Sequence, residues 1–199
     1  MTTHRHAEHP IAPFFFERWS PRAFTGEAID EPTLWTLFEA ARWAPSAFNA
    51  QPWRFIYGRR GTPAFQTLFD GLLPSNQAWA GQASALVAVV SARQVTAPGK
   101  AQPQDNHSHS FDAGAAWAHL ALQAQLLGWH THGMGGFDRD KLRASLGVPE
   151  GYAFEAVVAI GRMGDKSTLP EALQAREVPS SRRPAGQSAA EGRFDFEGA

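Results

Sequence analysis

Residues 39–55 read EAARWAPSAFNAQPWRF, and the order of features within them decides how the chain is built. Proline pushes the residue before it out of helical backbone, so a helix running into this stretch must end at Ala44-Pro45. A loop fenced by Pro45 and Pro52 follows. Beyond it Phe55, Ile56 and Tyr57, closed off by Gly58-Arg59-Arg60-Gly61, read as a short strand. Upstream, Asp30 with Pro32 just behind it is a helix-start signal, and Leu34, Leu37, Phe38 and Ala41 recur at the i, i+3, i+4, i+7 spacing of one buried helical face. Helix, rigid loop and strand in that order place Ser46, Asn49 and Gln51 where binding groups are held between packed elements. The same residues also suit an ordinary turn in which Asn49 bonds its own backbone.

The remaining sequence continues this alternation of helix and strand signals. Residues 63–73 carry a helical pattern, whereas Leu86, Val87, Ala88, Val89 and Val90 form a strand with no polar face, hence buried on both sides. Residues 94–110 (QVTAPGKAQPQDNHSHS) are polar, proline-bearing and aperiodic, as expected of a mobile surface loop. From Ser110 to Leu127 a long helix sets Ala113, Ala116, Trp117, Leu120, Ala124 and Leu127 on one side and ends at Gly128. Asp138 caps a short helix through Leu142 and Leu146 to Gly147, and Phe154, Ala156, Val158 and Ile160 alternate along a third strand. Near the start, Phe14-Phe15-Phe16 is an aromatic cluster that must be buried or bound, and Ser20, ahead of Pro21, should be extended. No internal repeat is present. The 199 residues fit one domain, 1–199, with extended or flexible arms at 1–12 and about 170–199.

Eighteen Lys+Arg against nineteen Asp+Glu leave a formal charge of -1, which removes the diffuse basic field that nucleic acid or an anionic membrane surface requires. Any anion site must therefore be local. Fifteen of the eighteen cations are arginine, the side chain that grips phosphate through two parallel N–H bonds. The absence of cysteine excludes disulfides, thiolate nucleophiles, iron–sulfur clusters and Cys-ligated zinc. The polar start MTTHRHAEHP is unlike a secretory signal, and the longest aliphatic run, Ala85 to Val90, is far below the ~20 residues of a membrane helix, so a cytoplasmic protein is expected.

Four segments can carry chemistry. In Arg18-Trp19-Ser20-Pro21-Arg22 an extended backbone sends alternate residues the same way, so Arg18, Ser20 and Arg22 form an anion clamp, unless the strip is merely a solvated basic turn. The loop between Pro45 and Pro52 is the second. Third, Gly133-Met134-Gly135-Gly136-Phe137-Asp138 lets a ligand approach the backbone and its N–H groups. It lacks the G-x-G-x-x-G pattern, the long helix and the acidic residue of a dinucleotide fold, so alone it reads as a tight turn. Last, Ser180-Ser181-Arg182-Arg183-Pro184 puts a basic pair in a tail that cannot build its own core. The histidines do not read as a metal site. His4, His6, His9, His107 and His109 lie outside any ordered scaffold, and no H-E-x-x-H or adjacent carboxylate pattern accompanies them. His130 and His132 share one face of an extended stretch and can line a pocket, although a surface position is the expectation. No G-x-S-x-G is present to hold a serine nucleophile.

Taken in order, RWSPRAF, EAARWAPSAFNAQPWRF, SNQAWAGQA, FDAGAAWAHLALQAQLLGW, GMGGFD followed by VVAIGRMGD, and a terminal SSRRP resemble the FMN-dependent nitroreductase family over residues 14–194. The resemblance implies an α+β fold with a central, mainly antiparallel sheet flanked by helices, assembled as an intertwined homodimer with FMN sites at the interface. By matching segments, Arg18, Trp19, Ser20 and Arg22 resemble the first flavin-binding strip, with Arg18 and Ser20 toward the ribityl phosphate and Arg22 near the pyrimidine edge. Pro45, Ser46 and Asn49 would come from the partner subunit. Asn76 resembles the asparagine that bonds the flavin ring or ribityl chain. Met134, Gly135 and Gly136 would present backbone near N5, and Arg182 and Arg183 would close on the phosphate.

The resemblance further implies NADH or NADPH as a transient donor and a nitroaromatic, quinone or related small acceptor in a ping-pong cycle. No side-chain catalyst or metal is required, because a flavin carries the redox chemistry itself. Two positions depart from the family pattern. Gly135 stands where many relatives carry glutamate, and Ala78 where they carry a basic residue, which leaves Arg22 as the main local charge. The 94–110 loop is short beside members with a helical excursion there, so an open acceptor pocket is expected. The competing readings are a same-fold flavoenzyme with one dedicated substrate and a non-enzymatic flavin- or metal-binding module.

Overall fold

The computed structural model describes residues 5–196, so His4 lies outside the described residues. A single-turn helix, α1 (Phe14–Glu17), leads into the extended strip at Arg18. Asp30 then caps α2 (Glu31–Arg42) with Oδ1, which accepts from Thr33 N at 2.7 Å, and Leu34, Leu37, Phe38 and Ala41 are buried along one face as their spacing predicts. β1 (Trp53–Arg59), α3 (Pro63–Asp70), α4 (Pro74–Ala80) and β2 (Ala85–Ala92) follow. A small pair, β3 (Gln94–Val95) and β4 (Gln104–Asp105), precedes the long α5 (His109–Leu126). β5 (His130–Met134), α6 (Arg139–Leu146) and β6 (Tyr152–Gly161) complete the framework, and α7 (Glu171–Gln174) opens the tail. The main sheet runs β1-β2-β6-β5 with every neighbouring pair antiparallel, the α+β arrangement that the resemblance implies.

Successive side chains of a strand point to opposite faces, and β2 uses both. Leu86, Ala88 and Val90 pack with Leu68, Trp79 and Leu142 from α3, α4 and α6. Val87 and Val89 pack with Leu34, Leu37, Ala116 and Leu120 from α2 and α5. An uninterrupted apolar strand is the usual mark of a parallel sheet; here an antiparallel sheet has the same need because helices cover both sides. The cover is tight at Gly58 of β1, where an added Cβ would stand 2.1 Å from Phe65 N of α3, so only glycine lets the two backbones meet.

Elsewhere the structure departs from the periodicity. The helix expected over 63–73 stops at Asp70, because Leu72 leaves it to bridge Phe137, and α4 is a separate helix whose buried residues, Trp79 and Ala80, are too few to show a period. The 94–110 segment is not a plain loop. It contains the β3–β4 pair, and the buried Asn106 ties it to the sheet by donating from N to Arg93 O at 2.7 Å and from Nδ2 to Ala92 O at 3.4 Å. The extended stretch at His130 is a full edge strand. None of the α1 aromatics is buried within this chain, and Phe15 is 52% exposed. In α5, Ala113, Ala116, Leu120 and Ala124 are buried as expected, whereas Trp117 is half-buried and the capping Leu127 is exposed. Beyond α7 the tail is irregular apart from one short 3-10 turn, Ala185–Gln187. Among the described residues no helix is long and apolar enough to cross a membrane.

The close approach at Gly58 is directly testable. Gly58→Ala should lower the unfolding free energy by about 1–3 kcal/mol through overpacking. Gly151→Ala, where an added Cβ meets nothing within 4 Å, should change it by less than about 0.5 kcal/mol. Urea unfolding of the two variants beside the parent checks this; a Gly58→Ala protein as stable as the parent would show that β1 and α3 are not in backbone contact.

Candidate functional site

The strip after α1 is extended at Arg18 (φ -62°, ψ 127°), and it sends Arg18, Trp19, Ser20 and Arg22 to the wall of one cavity of about 300 Å³. Arg18 Nη1 lies 3.3 Å from Ser20 Oγ, so the alternation predicted for the clamp brings the two side chains together. The opposite wall holds Arg5 from the head of the chain, His132 from β5, and Arg176 and Arg182 from the tail. Five arginines thus line one space. Burial first, then Arg182 and Arg5, hold the Arg18 pKa below its ordinary value, and burial followed by Arg182 does the same to Arg5. A bound anion removes that mutual repulsion, which makes this end of the site suited to a phosphate.

One carboxylate enters the cluster. The buried Glu177 accepts from Arg22 N at 2.6 Å and Ala23 N at 2.9 Å, and its Oε2 is 3.6 Å from Arg22 Nη1. Arg22, expected as the main local charge, is therefore paired. The cause is tertiary: Glu177 reaches it from the tail across 155 positions of sequence. His132 is likewise not a surface residue. Its Nδ1 is 3.0 Å from Pro21 O, its ring centroid is 4.7 Å from that of Trp79, and burial is the leading cause that holds its pKa below the usual imidazole value. Nδ1–H donates to that carbonyl and so fastens the strip to β5. His130 is also lowered, by burial first and then by Arg162 and Arg18.

Arg18 and Ser20 face a second cavity as well, of about 430 Å³, whose other walls are Phe15, Trp117, Ala121 and Gly133. The site is thus cationic at one end and apolar, with backbone of β5, at the other. Beyond β5, Asn76 Nδ2 donates to Gly136 O at 2.9 Å, so Asn76 and the glycine turn, picked out separately in the sequence, are joined. Met134 is buried and offers its backbone only, whereas an added Cβ at Gly135 would meet nothing within 4 Å. Arg182 stands between the cationic cavity and a further one of about 430 Å³ formed by head and tail, and Arg183 lines only the latter.

Pro45, Ser46 and Asn49 line none of these cavities within the chain. They sit on a loop whose backbone is held in the left-handed region at Phe48 (φ 53°), Asn49 (φ 54°) and Gln51 (φ 46°), a conformation costly for residues with a Cβ. Among the bonds that hold it there, Gln51 N donates to Ser46 Oγ at 3.0 Å, and Ala47 N donates to Oδ2 of Asp112, a buried carboxylate at the start of α5. Sequence reasoning missed Arg5, Arg176, Glu177 and Asp112. The arginine excess was the only signal that pointed toward the first two, since charged side chains far apart in sequence carry no spacing.

The arrangement offers an anion-binding end, an apolar wall and exposed backbone, the elements that a phosphorylated planar cofactor requires. Comparison with known proteins agrees with this chemistry. The model of the Nitroreductase family matches residues 16–162, from α1 through the end of β6. A crystal structure of an oxidoreductase containing FMN superposes with a TM-score of 0.94 at 45% identity, covering 99% of each chain. A 15.4 kDa protein of Mycolicibacterium smegmatis is 37% identical over 153 residues, 71% of this chain and 97% of its own length. A Thermus thermophilus protein named NADH dehydrogenase is 30% identical over 172 residues, 73% of this chain and 82% of its own. With the family pattern spanning sheet, strip and glycine turn alike, this chain belongs to the Nitroreductase family.

Proposed function

We propose that the chain is an FMN-dependent oxidoreductase that uses NADH or NADPH to reduce nitroaromatics, quinones or related small acceptors. The observation that carries this reading is the cationic cavity of Arg18, Ser20 and Arg182, which shares Arg18 and Ser20 as wall residues with a neighbouring apolar space beside Gly133. A phosphate at the first and a planar ring along the second is the fit that FMN needs. The 45% identical structure contains FMN, and the Thermus thermophilus relative is named for oxidation of NADH, which supports both cofactor and donor. When bound, FMN supplies the hydride chemistry, accepting from the nicotinamide and passing electrons to the acceptor.

The residues of the chain then have holding roles. Arg18, Ser20 and Arg182 bind the phosphate, with Trp19 and Arg22 completing the strip and Arg183 closing less directly from the tail side. Asn76 fixes the turn through Gly136 O, so that the backbone of Met134, Gly135 and Gly136 meets the ring edge. Glu177 holds Arg22 in place. Pro45, Ser46 and Asn49 serve the site of a partner in a homodimer. Support for that assignment is their separation from the strip within one chain, together with exposed Phe15, Phe48 and Phe111, which call for a covering surface.

The purified protein should be yellow with non-covalent FMN that bleaches on addition of NADH or NADPH. Charge-assisted bonds to phosphate are worth roughly 1.5–3 kcal/mol, so Arg18→Ala should weaken FMN binding at least about tenfold and riboflavin binding far less. A colourless protein that takes up no added FMN would sink the proposal.

Sharing of the site between subunits makes a separate prediction. Mixing Arg18→Ala chains with Asn49→Ala chains should restore activity, because a mixed dimer gathers both defects into one site and leaves the other intact. Mixtures that stay at the level of the parents, despite confirmed subunit exchange, would place the whole site within one chain.

Gly135→Glu probes the ring edge. The side chain has room, and a carboxylate several ångströms from the reduced flavin disfavours that form by roughly 1–3 kcal/mol at an effective dielectric near 20. The midpoint potential should fall. An unchanged potential and acceptor profile with FMN still bound would mean that the glycine turn is not at the flavin edge.

A further inference from the structure

Arg5 lies ahead of the residues that match the family model, yet it lines the cationic cavity with Arg18 and Arg182. Its Nε donates to Ser180 O at 2.8 Å, and its Nη1 donates to Phe16 O at 2.7 Å and Arg18 O at 3.1 Å. One guanidinium therefore ties the tail to the strip. The group is a rigid planar fork, so these bonds fix its plane and leave the N–H groups of Nη2 outside the three carbonyl contacts. Carbonyl dipoles orient the cation but do not neutralise it. Arg22 is the contrast, since its charge is met by Glu177.

Arg182 is bracketed by the same head segment. On one side Arg5 holds Ser180 O, and on the other Glu8 Oε2 accepts from Ala185 N at 2.9 Å. Arg182 Nη1 in turn donates to Ser180 Oγ at 3.1 Å and to Ser181 O at 2.9 Å. Three cations that repel one another are thus kept around one cavity by carbonyl and serine hydroxyl contacts. An anion between them removes that repulsion.

Resting on the phosphate reading above, we propose that Arg5 is a further cofactor-phosphate residue, which binds the phosphate through Nη2, a group with no hydrogen bond among the described residues, and positions Arg182 by holding the Ser180 carbonyl. The head and the tail of the chain then close on the phosphate as one unit.

The test measures the affinity of flavin-free protein for FMN and for riboflavin by quenching of flavin fluorescence, in the parent, Arg5→Ala, Arg5→Lys and Arg18→Ala. Arg5→Ala should weaken FMN at least about tenfold and riboflavin less than about twofold, as for any charge-assisted phosphate contact. Arg5→Lys should fall between, because an ammonium keeps the charge and loses the fork. A structural role alone would weaken both ligands equally. Equal losses, or unchanged FMN affinity in Arg5→Ala, overturn the proposal, and a larger loss for FMN than for riboflavin in Arg18→Ala would show that the phosphate reading itself survives. If Arg18→Ala shows no such difference either, reading and proposal fall together. Should Arg5→Ala fail to fold, Arg5→Lys decides by the same criterion.

Discussion

Strand β2 is closed in along both edges by antiparallel neighbours and on both faces by helices, and the layout of the molecule follows from that burial. Buried peptide groups need backbone partners, which β1 and β6 supply along the full length of the strand. Buried apolar side chains on opposite faces need two separate covers. α2 and α5 form one and α3, α4 and α6 the other, so a chain of this size is committed to a helix–sheet–helix sandwich. The covers must also come close. Alanines at 113, 116 and 124 permit this on one side, and Gly58 on the other.

With the centre of the sheet sealed, ligand chemistry has room only at its rim. β5 is an edge strand, and the Arg18–Arg22 strip is fastened to it through the ring of His132. The glycine turn leaves the end of β5, with Asn76 fixing its geometry. Between strip and α5 lies an apolar space, and between strip and tail a cationic one. A ligand with a phosphate and a planar ring meets both without disturbing the core.

The charges around that rim are used in two ways. Glu177 is buried among backbone N–H groups and compensates Arg22, so that pair orients the strip without adding net charge. Arg5, Arg18 and Arg182 are held instead by carbonyls and two serine hydroxyls, which leaves their charge available. A similar division governs the loop after α2. The buried Asp112 holds the backbone of Ala47, and the strain of three left-handed residues is confined to the segment bearing Ser46 and Asn49.

Much of this was legible in the sequence where the determinant is local. The cap at Asp30, the buried stripe of α2, the two-faced β2, the cap at Asp138 and the left-handed Gly147 (φ +65°) depend on neighbours within a few residues, and each appears where it was read. The approach of Arg18 to Ser20 was legible for the same reason, because alternation along extended backbone is a local rule. α4 was hidden by its short apolar stripe, and the pairing within 94–110 by the lack of any period in polar residues.

What the amino-acid order determined by itself is therefore the set of elements and the side chains that each presents, since propensity, capping and hydrophobic spacing act over a turn or a strand. Only the tertiary structure decided which of those side chains meet. Arg5 and Arg176 join Arg18 because head and tail fold back over the strip, and Glu177 reaches Arg22 across 155 positions. Ser46 and Asn49 are kept away from the same cavity because their loop is anchored to α5. Long-range charge pairing leaves no periodic trace in sequence, and it becomes fixed only when burial of the sheet brings distant segments to the same edge.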